Sequence, residues 1–489
     1  MRHCFAALVL ALLAITTVHA ATISGYVRDS ETKESLVSAT VSIAGTRLGA
    51  RTNKSGFFSI QNVPAGRQTV VASYLGYDRY ELAIELTTDE ARRMNIELKP
   101  GSVKTGEITV RAERETETRE IEISRVDVPI EQLSEIRLGG ESDVFRALQY
   151  LPGVLASSQI SSGLYVRGGS PDQNLVLVDG AVVYNPSHLF GFYSAFNTDA
   201  IKDVELIKGG FPAEYGGRLS AVLNITQKEG NREKVEGLAS IGLIASRLAL
   251  EGPVGNGSWF IGGRRTYLDL ILEIAPETED PIPDFYFYDA NARITQEIGD
   301  NDRISLSGFI SRDHLTFAGT GLDFGMDLGN TTGAVKWTHI AGSNLFTTFT
   351  AAASEYSTGF TGGFSGTGFG VTNTITDYTA RLGAEWYASD LATVRMGVEA
   401  TNYQFQYLQE FFGPADSAGT GATPAIPQAD LIIPDWVYGG YAQLTYQLTD
   451  ELGLQGGVRA DYFDLNNSTT IDPRVALRYT ASPALSFKA

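Results

Sequence analysis

Asn174-Leu175-Val176-Leu177-Val178-Asp179-Gly180 opens the part of the chain that decides its fold. Three stretches follow: Ile201-Lys202-Asp203-Val204-Glu205-Leu206-Ile207-Lys208-Gly209, Ala213-Glu214-Tyr215-Gly216-Gly217-Arg218 and Ala221-Val222-Leu223-Asn224-Ile225-Thr226. Apolar, β-branched runs separated by Gly-containing turns read as short strands joined by tight turns. Just upstream, Leu164-Tyr165-Val166-Arg167-Gly168-Gly169 repeats the pattern. Further back, Ser142 to Leu151 has helical spacing, with Val144, Leu148 and Leu151 on one face. Ser142 is the expected cap, and Pro152-Gly153-Val154 ends the helix. Residues 126–230 are therefore expected to form one small α+β domain. Its charges Arg167, Asp179, Glu205, Lys208, Glu214 and Arg218 are balanced in sign. A buried charge without a partner costs several kcal/mol. The six are expected to pair with one another or with charges on whatever encloses the domain.

Downstream, residues 233–489 alternate with a two-residue period. Tyr378, Ala380, Leu382, Ala384 and Trp386 share one face, opposite Asp377, Thr379, Arg381, Gly383 and Glu385. The same alternation runs from Val394 to Thr401 and from Trp436 to Leu448. Apolar residues on one face and charges on the other suit the wall of a transmembrane β-barrel with a polar lumen. Beyond the N-terminal apolar run, no stretch of ~18 apolar residues offers a membrane-spanning helix. Short turns are expected around 255–257, 300–302, 341–343, 389–390, 449–451 and 482–483. Longer polar connections at 272–284, 318–329, 359–372 and 410–433 alternate with them, as in outer-membrane barrels. The apolar phase breaks near Ile244, which predicts one tight outer turn. The glycines of 359–370 could imitate a phosphate loop, but no helix follows, so an outer loop is expected. The count is about twelve strands and the start of another.

In order and spacing, Arg167-Gly168, Val178-Asp179-Gly180, Lys208-Gly209, Tyr215-Gly216 and the Asn224-Ile225 strand resemble the plug of TonB-dependent outer-membrane receptors. The resemblance implies an all-β-dominated chain in which a plug fills an antiparallel barrel of about 22 strands. Leu485-Ser486-Phe487-Lys488-Ala489 stops within a strand and lacks a terminal aromatic. The chain is thus expected to be the N-terminal portion of such a receptor.

The N-terminal segments agree with that assignment. Arg2 and His3, the apolar run Phe5–Ile15 and Val18-His19-Ala20 make residues 1–20 an export signal. The chain's only cysteine, Cys4, lies inside it, so the processed chain has no disulfide or thiolate chemistry. Residues 22–98 carry short alternating runs between turns, a small β-sandwich pattern. With Thr52-Asn53-Lys54-Ser55-Gly56 before Phe57-Phe58, and Val63-Pro64-Ala65-Gly66, the segment resembles the non-catalytic carboxypeptidase regulatory-like domain, a transthyretin-like sandwich. Residues 99–125 have the charge-rich composition of a linker. Within them Glu107-Ile108-Thr109-Val110-Arg111-Ala112 resembles a TonB box, a strand that the energy transducer captures by β-augmentation.

A net charge of −19 argues against nucleic acid, since no basic concentration is available to neutralise phosphates. His188, His314 and His339 are scattered, so no metal site is expected, and no nucleophile elbow or Walker loop marks an enzyme. The resemblance implies an outer-membrane receptor with its N-terminal domain in the periplasm, importing a scarce nutrient with energy from the TonB–ExbB–ExbD complex. No cofactor is implied. Ligand contact is expected after Gly180, where Tyr184, Asn185, His188, Phe190 and Phe192 combine rings with polar groups. The competing reading is that these residues pack the plug against the barrel wall. Phe411, Phe412 and Trp436 are further candidates, Trp436 also suiting an interface belt in contact with outer-membrane lipids. The alternatives are a glycan or oligopeptide importer working with a surface lipoprotein, a TonB-linked signal transducer, and an adhesin or passive pore.

Overall fold

A computed structural model describes residues 20–101, 121, 124–128, 137–138, 141–156, 163–188, 191–267, 269–271, 284–318, 322–364, 367–412, 426–482 and 485–489. The export signal, the segment Glu107–Ala112 and Phe190 lie outside them.

The N-terminal unit is a two-sheet sandwich. One sheet places Ala21–Asp29 beside Phe57–Val63, Ala91–Arg93 and Ile96–Leu98. The other runs Gly49–Arg51, Thr40–Ile43, Gly66–Ser73, Tyr80–Leu86. Ile23, Val27, Val41, Phe58, Val70 and Leu98 interdigitate between the sheets. The turn expected before Phe57 is built by Asn53, whose Oδ1 accepts from the backbone N–H groups of Ser55 and Phe57 at 3.0 and 3.1 Å. Gly56 is required there: its φ is +80°, and an added Cβ would lie 2.7 Å from Ser35.

The central unit is a five-stranded mixed sheet. Its order is Ala181–Val182, Leu175–Val178, Val222–Gln227, Ile201–Ile207, Arg125–Val128. Leu175–Val178 and Val222–Gln227 run parallel, and the other pairs are antiparallel. The helix spans Val144–Leu148 and is capped by Asp143, not Ser142. Asp143 reaches both ways, accepting from the Arg146 N–H at 2.9 Å and from the Ser194 N–H at 2.6 Å. Leu151, expected as a helical residue, follows the helix and still packs against the core.

The third unit is one antiparallel sheet of 13 strands, from Glu236–Ile241 to Leu485–Lys488. Its alternation follows the sequence. Tyr378 and Val398 are 54% and 59% exposed on the outer face, while Asp377 is 1% exposed facing inward. Among the described residues no helix is long and apolar enough to cross a membrane, which leaves crossing by strands open. The tight turn near Ile244 joins Glu236–Ile241 to Ala245–Val254.

Two of the expected long connections are absent. Residues 322–329 belong to the strand Leu322–Ala341, and 359–364 and 367–372 belong to Leu345–Phe364 and Thr367–Tyr387, which pair up to Phe364 and Thr367. Their Gly, Thr and Ser content reads as loop. Yet small polar residues alternate with Phe360 and Phe369, whose rings meet at 5.7 Å, and that is enough for a strand pair. Residues 426–433 likewise lie within the strand Ile426–Gln447. Strands of 20 residues are about 65 Å long at ~3.3 Å per residue, well beyond the apolar band of ~25 Å.

Candidate functional site

The central domain sits inside the curved sheet and is fastened to it in three places. The first is the end with the longer connections, reached by the chain after Asp179-Gly180. Asp179 has φ +49°, a left-handed conformation that turns the chain sharply toward the wall. Tyr184 then donates its hydroxyl to Asp377 at 2.7 Å and its backbone N–H to Asn330 Oδ1 at 3.2 Å. Asn330 Nδ2 donates in return to the Asn185 carbonyl at 2.7 Å. His188 has no exposed surface. Its Nδ1 lies 2.8 Å from Asp313 and its Nε2 3.6 Å from Asp289, and its ring stacks on Phe287 at 4.2 Å. Burial alone would lower the imidazole pKa, but hydrogen bonds to Asp289 and Asp313 outweigh it and raise the pKa. Asp289 is shared with Arg264, whose guanidinium is 2.7 Å away and also donates to the Ser194 carbonyl. Phe192 packs on Tyr193 under the Arg146 guanidinium.

Of the expected ligand contacts, Tyr184, Asn185, His188 and Phe192 are thus gathered at the interface between domain and wall. Tyr184 borders a void of about 50 Å³, shared with Arg218. His188 is sealed, so in this conformation it anchors the domain and touches no solute.

The second fastening was not foreseen. Glu229, in the segment joining the central domain to the first barrel strand, gathers four cations. They are Lys202 at 2.9 Å, Arg232 at 3.5 Å, Arg293 at 4.0 Å and Arg303 in direct contact. Burial would raise its pKa, but Arg303, Lys202, Arg293 and Arg232 hold the carboxyl well below the usual range. Arg303 also donates to Ser35 Oγ and the Ser55 carbonyl, so this carboxylate ties together all three units. The only sequence signal was the run Lys228-Glu229-Gly230-Asn231-Arg232-Glu233-Lys234, which reads as a solvated linker.

The third fastening is the sandwich, which docks at the short-turn end of the barrel. Tyr26 and Phe57 pack with Ile340, Phe346 and Tyr387 of the wall, Phe57 stacking on Phe346 at 5.1 Å. Ser59 donates to the Ser343 carbonyl, and Asn62 donates to Asp390. Lys54 reaches from the sandwich into the central domain, 3.1 Å from Glu214 and over the Tyr215 ring. Burial opposes its charge, but Glu214 and Tyr215 raise its pKa well above the usual value.

Sandwich, central domain and wall enclose a chamber of about 500 Å³. Most charges on its walls are paired: Arg51 with Asp127, Arg125 with Glu205, Asp179 with Arg293, Arg395 with Glu385, and Arg381 with Glu399. Among the six charges singled out in the sequence, Asp179 therefore pairs with the wall, Glu205 within its own domain and Glu214 with the sandwich. Arg167 donates to Ser124 and Lys208 to the Pro152 carbonyl, while the half-buried Arg218 donates to the Gly217 carbonyl.

A chain with this arrangement matches three known domains in order. Residues 23–110 match the CarboxypepD_reg-like domain, residues 119–222 the TonB-dependent receptor plug domain, and residues 256–489 the TonB-dependent receptor-like β-barrel. The chain belongs to the TonB-dependent receptors. The receptor is 25% identical over 224 residues to the TonB-dependent transporter Oar of Myxococcus xanthus, covering 43% of this chain and 21% of Oar. Among solved structures it resembles the outer-membrane transporter YddB of Escherichia coli, with TM-score 0.55, 15% identity, and coverage of 73% of this chain and 58% of YddB. It also resembles the ferric enterobactin receptor PfeA of Pseudomonas aeruginosa, with TM-score 0.55, 16% identity, and coverage of 77% and 62%. The copper transporter OprC gives TM-score 0.53 at 14% identity, covering 73% and 61%. The receptor chain thus spans about a fifth of the curated relative and about three fifths of these solved chains.

Proposed function

We propose that the receptor imports a scarce nutrient across the outer membrane into the periplasm, with energy from the inner-membrane TonB–ExbB–ExbD complex and no catalysis of its own. The observation that carries this reading is a plug held in the lumen by a buried hub of one carboxylate and four cations. A passive pore has no use for such an obstruction. In this reading the short-turn end and its sandwich face the periplasm, and the transducer pairs with Glu107–Ala112. Solute arrives at the opposite end, where Tyr184 and Asn185 meet the wall; His188 holds that contact in place. PfeA is named for ferric enterobactin and OprC for copper, which makes ferric siderophores and copper the first ligands to try.

The test does not need the ligand. The full-length receptor should bind the purified periplasmic domain of TonB, and deletion of residues 106–112 should abolish that binding without lowering the amount of receptor in the outer membrane. Unchanged binding after the deletion would sink the proposed box.

A further inference from the structure

We propose that the chamber between sandwich and plug is a binding site for an oxyanion of carboxylate or phosphate type, with Lys336 as the cation that receives it. Its volume of about 500 Å³ falls within the ~300–1,000 Å³ range of small-molecule pockets. Tyr215, Tyr441 and Phe346 add apolar surface to its walls. The other charged residues lining it have the partners given above. Lys336 lines the same chamber and has no hydrogen bond or ion pair among the described residues. The charges that act most strongly on it are the cations Arg293, Lys54 and Arg303 and the anion Asp179. Asp179 Oδ1 is already engaged by Arg293 at 3.2 Å. Lys336 is half-buried; a cation held among other cations at the wall of a chamber is stabilised by an anion beside it, and a solute oxyanion in the chamber supplies that anion. The proposal stands on the chamber alone and not on energy coupling, so the outcome of the box deletion does not bear on it.

Thr350 pairs with Lys336 across adjacent antiparallel strands and lines the same chamber. Side chains so paired stand about 5 Å apart on one face. Residues 21–489 contain no cysteine, so once any cysteine elsewhere in the full-length protein is replaced by serine, Thr350→Cys places a single thiol beside the ammonium. On purified full-length protein, a sulfonate-bearing methanethiosulfonate should label this thiol about tenfold faster than a trimethylammonium-bearing one, because the local potential is positive. Comparing two reagents on one thiol cancels any change in thiol reactivity. The preference should fall toward unity with Lys336→Gln and persist with Lys336→Arg, heat-modifiable gel mobility confirming that each variant is folded. Inorganic phosphate or citrate should slow labelling when Lys336 is present and not when it is Gln. Protection by phosphate alone marks a small free oxyanion, and protection by citrate marks an organic carboxylate. Equal rates for the two reagents, a preference that survives Lys336→Gln, or protection by neither anion would make the chamber a water-filled void and overturn the proposal.

Discussion

The two ends of the lumen hold the plug by opposite means. At the end with the longer connections, His188, Asp289, Asp313 and Arg264 are packed without space between them, and Phe287 closes over the imidazole. At the short-turn end, charged side chains line an open chamber, and plug and sandwich meet around it through Lys54 with Glu214 and Arg51 with Asp127, beside the Glu229 hub. The difference shows where the plug can yield. A dry, close-packed seam with paired charges resists small displacements, because any movement strands a buried charge. A solvated chamber tolerates them, since water replaces the lost partners. The plug is thus fastened along one side and undercut on the other.

The largest way to break this contrast is Glu229→Gln. It strands Arg303, Arg293, Lys202 and Arg232 around a neutral amide, and losing one member of a buried pair costs about 3–5 kcal/mol. Urea unfolding followed by hydrogen exchange of plug-domain peptides should show a loss of that size, with the barrel transition little changed. An unmoved transition would mean that the hub does not hold the plug.

The sealed end can be probed by pH. The His188 pKa is raised in the folded state, so its stabilisation is complete below the unfolded value of about 6.5 and disappears as pH rises through the folded value. Hydrogen exchange of residues 184–196 should therefore quicken between pH 6 and pH 9 by more than the intrinsic rate. His188→Ala should remove that excess and cost about 2–3 kcal/mol at pH 6, an estimate for a buried, charge-assisted hydrogen bond. No excess in the native protein would place the attachment elsewhere.

The smallest expected effect has the opposite sign. Burial, with Asp127 and Glu205 nearby, pushes the Asp203 carboxyl up to about 7. Because the folded state then holds a proton that the unfolded state has released, stability rises as pH falls from above 7 toward 4. Asp203→Asn should flatten that dependence and stabilise the plug by about 1–2 kcal/mol at pH 8, after allowance for solvent screening. A destabilised Asn variant would show that the carboxylate is needed charged.

Some of this was legible in the sequence because a single residue's neighbours decide it. Asp377 between Thr376 and Tyr378 announces a wall with polar and apolar faces, and Val178-Asp179-Gly180 announces a strand that stops. The helix cap was misplaced by one residue because Ser142 and Asp143 are both good caps, and Asp143 is chosen by Ser194, about fifty residues away. Phe57 reads as sandwich core, yet it packs on Phe346 and Tyr387 of the barrel, a docking that no local pattern encodes. The Glu229 hub was invisible for the same reason: three of its four cations lie outside its own short segment. The extended strands at 322–329 and 359–364 were hidden by composition, since positions with no lipid to face need no apolar alternation.

Among the described residues the plug sheet ends in Arg125–Val128, an edge strand with a single neighbour, Ile201–Ile207. It is also where the chain from the sandwich enters the sheet. Tension drawn from that side would peel the strand crosswise, breaking its hydrogen bonds one at a time and not all together. The ion pairs of Arg125 with Glu205 and of Arg51 with Asp127 would part in the same motion. The parallel core pair Leu175–Val178 and Val222–Gln227, two strands further in, would carry little of that load. In mechanical terms the plug has a weak tab on a strong panel: under load the strip at the sheet's edge would part before the strands behind it.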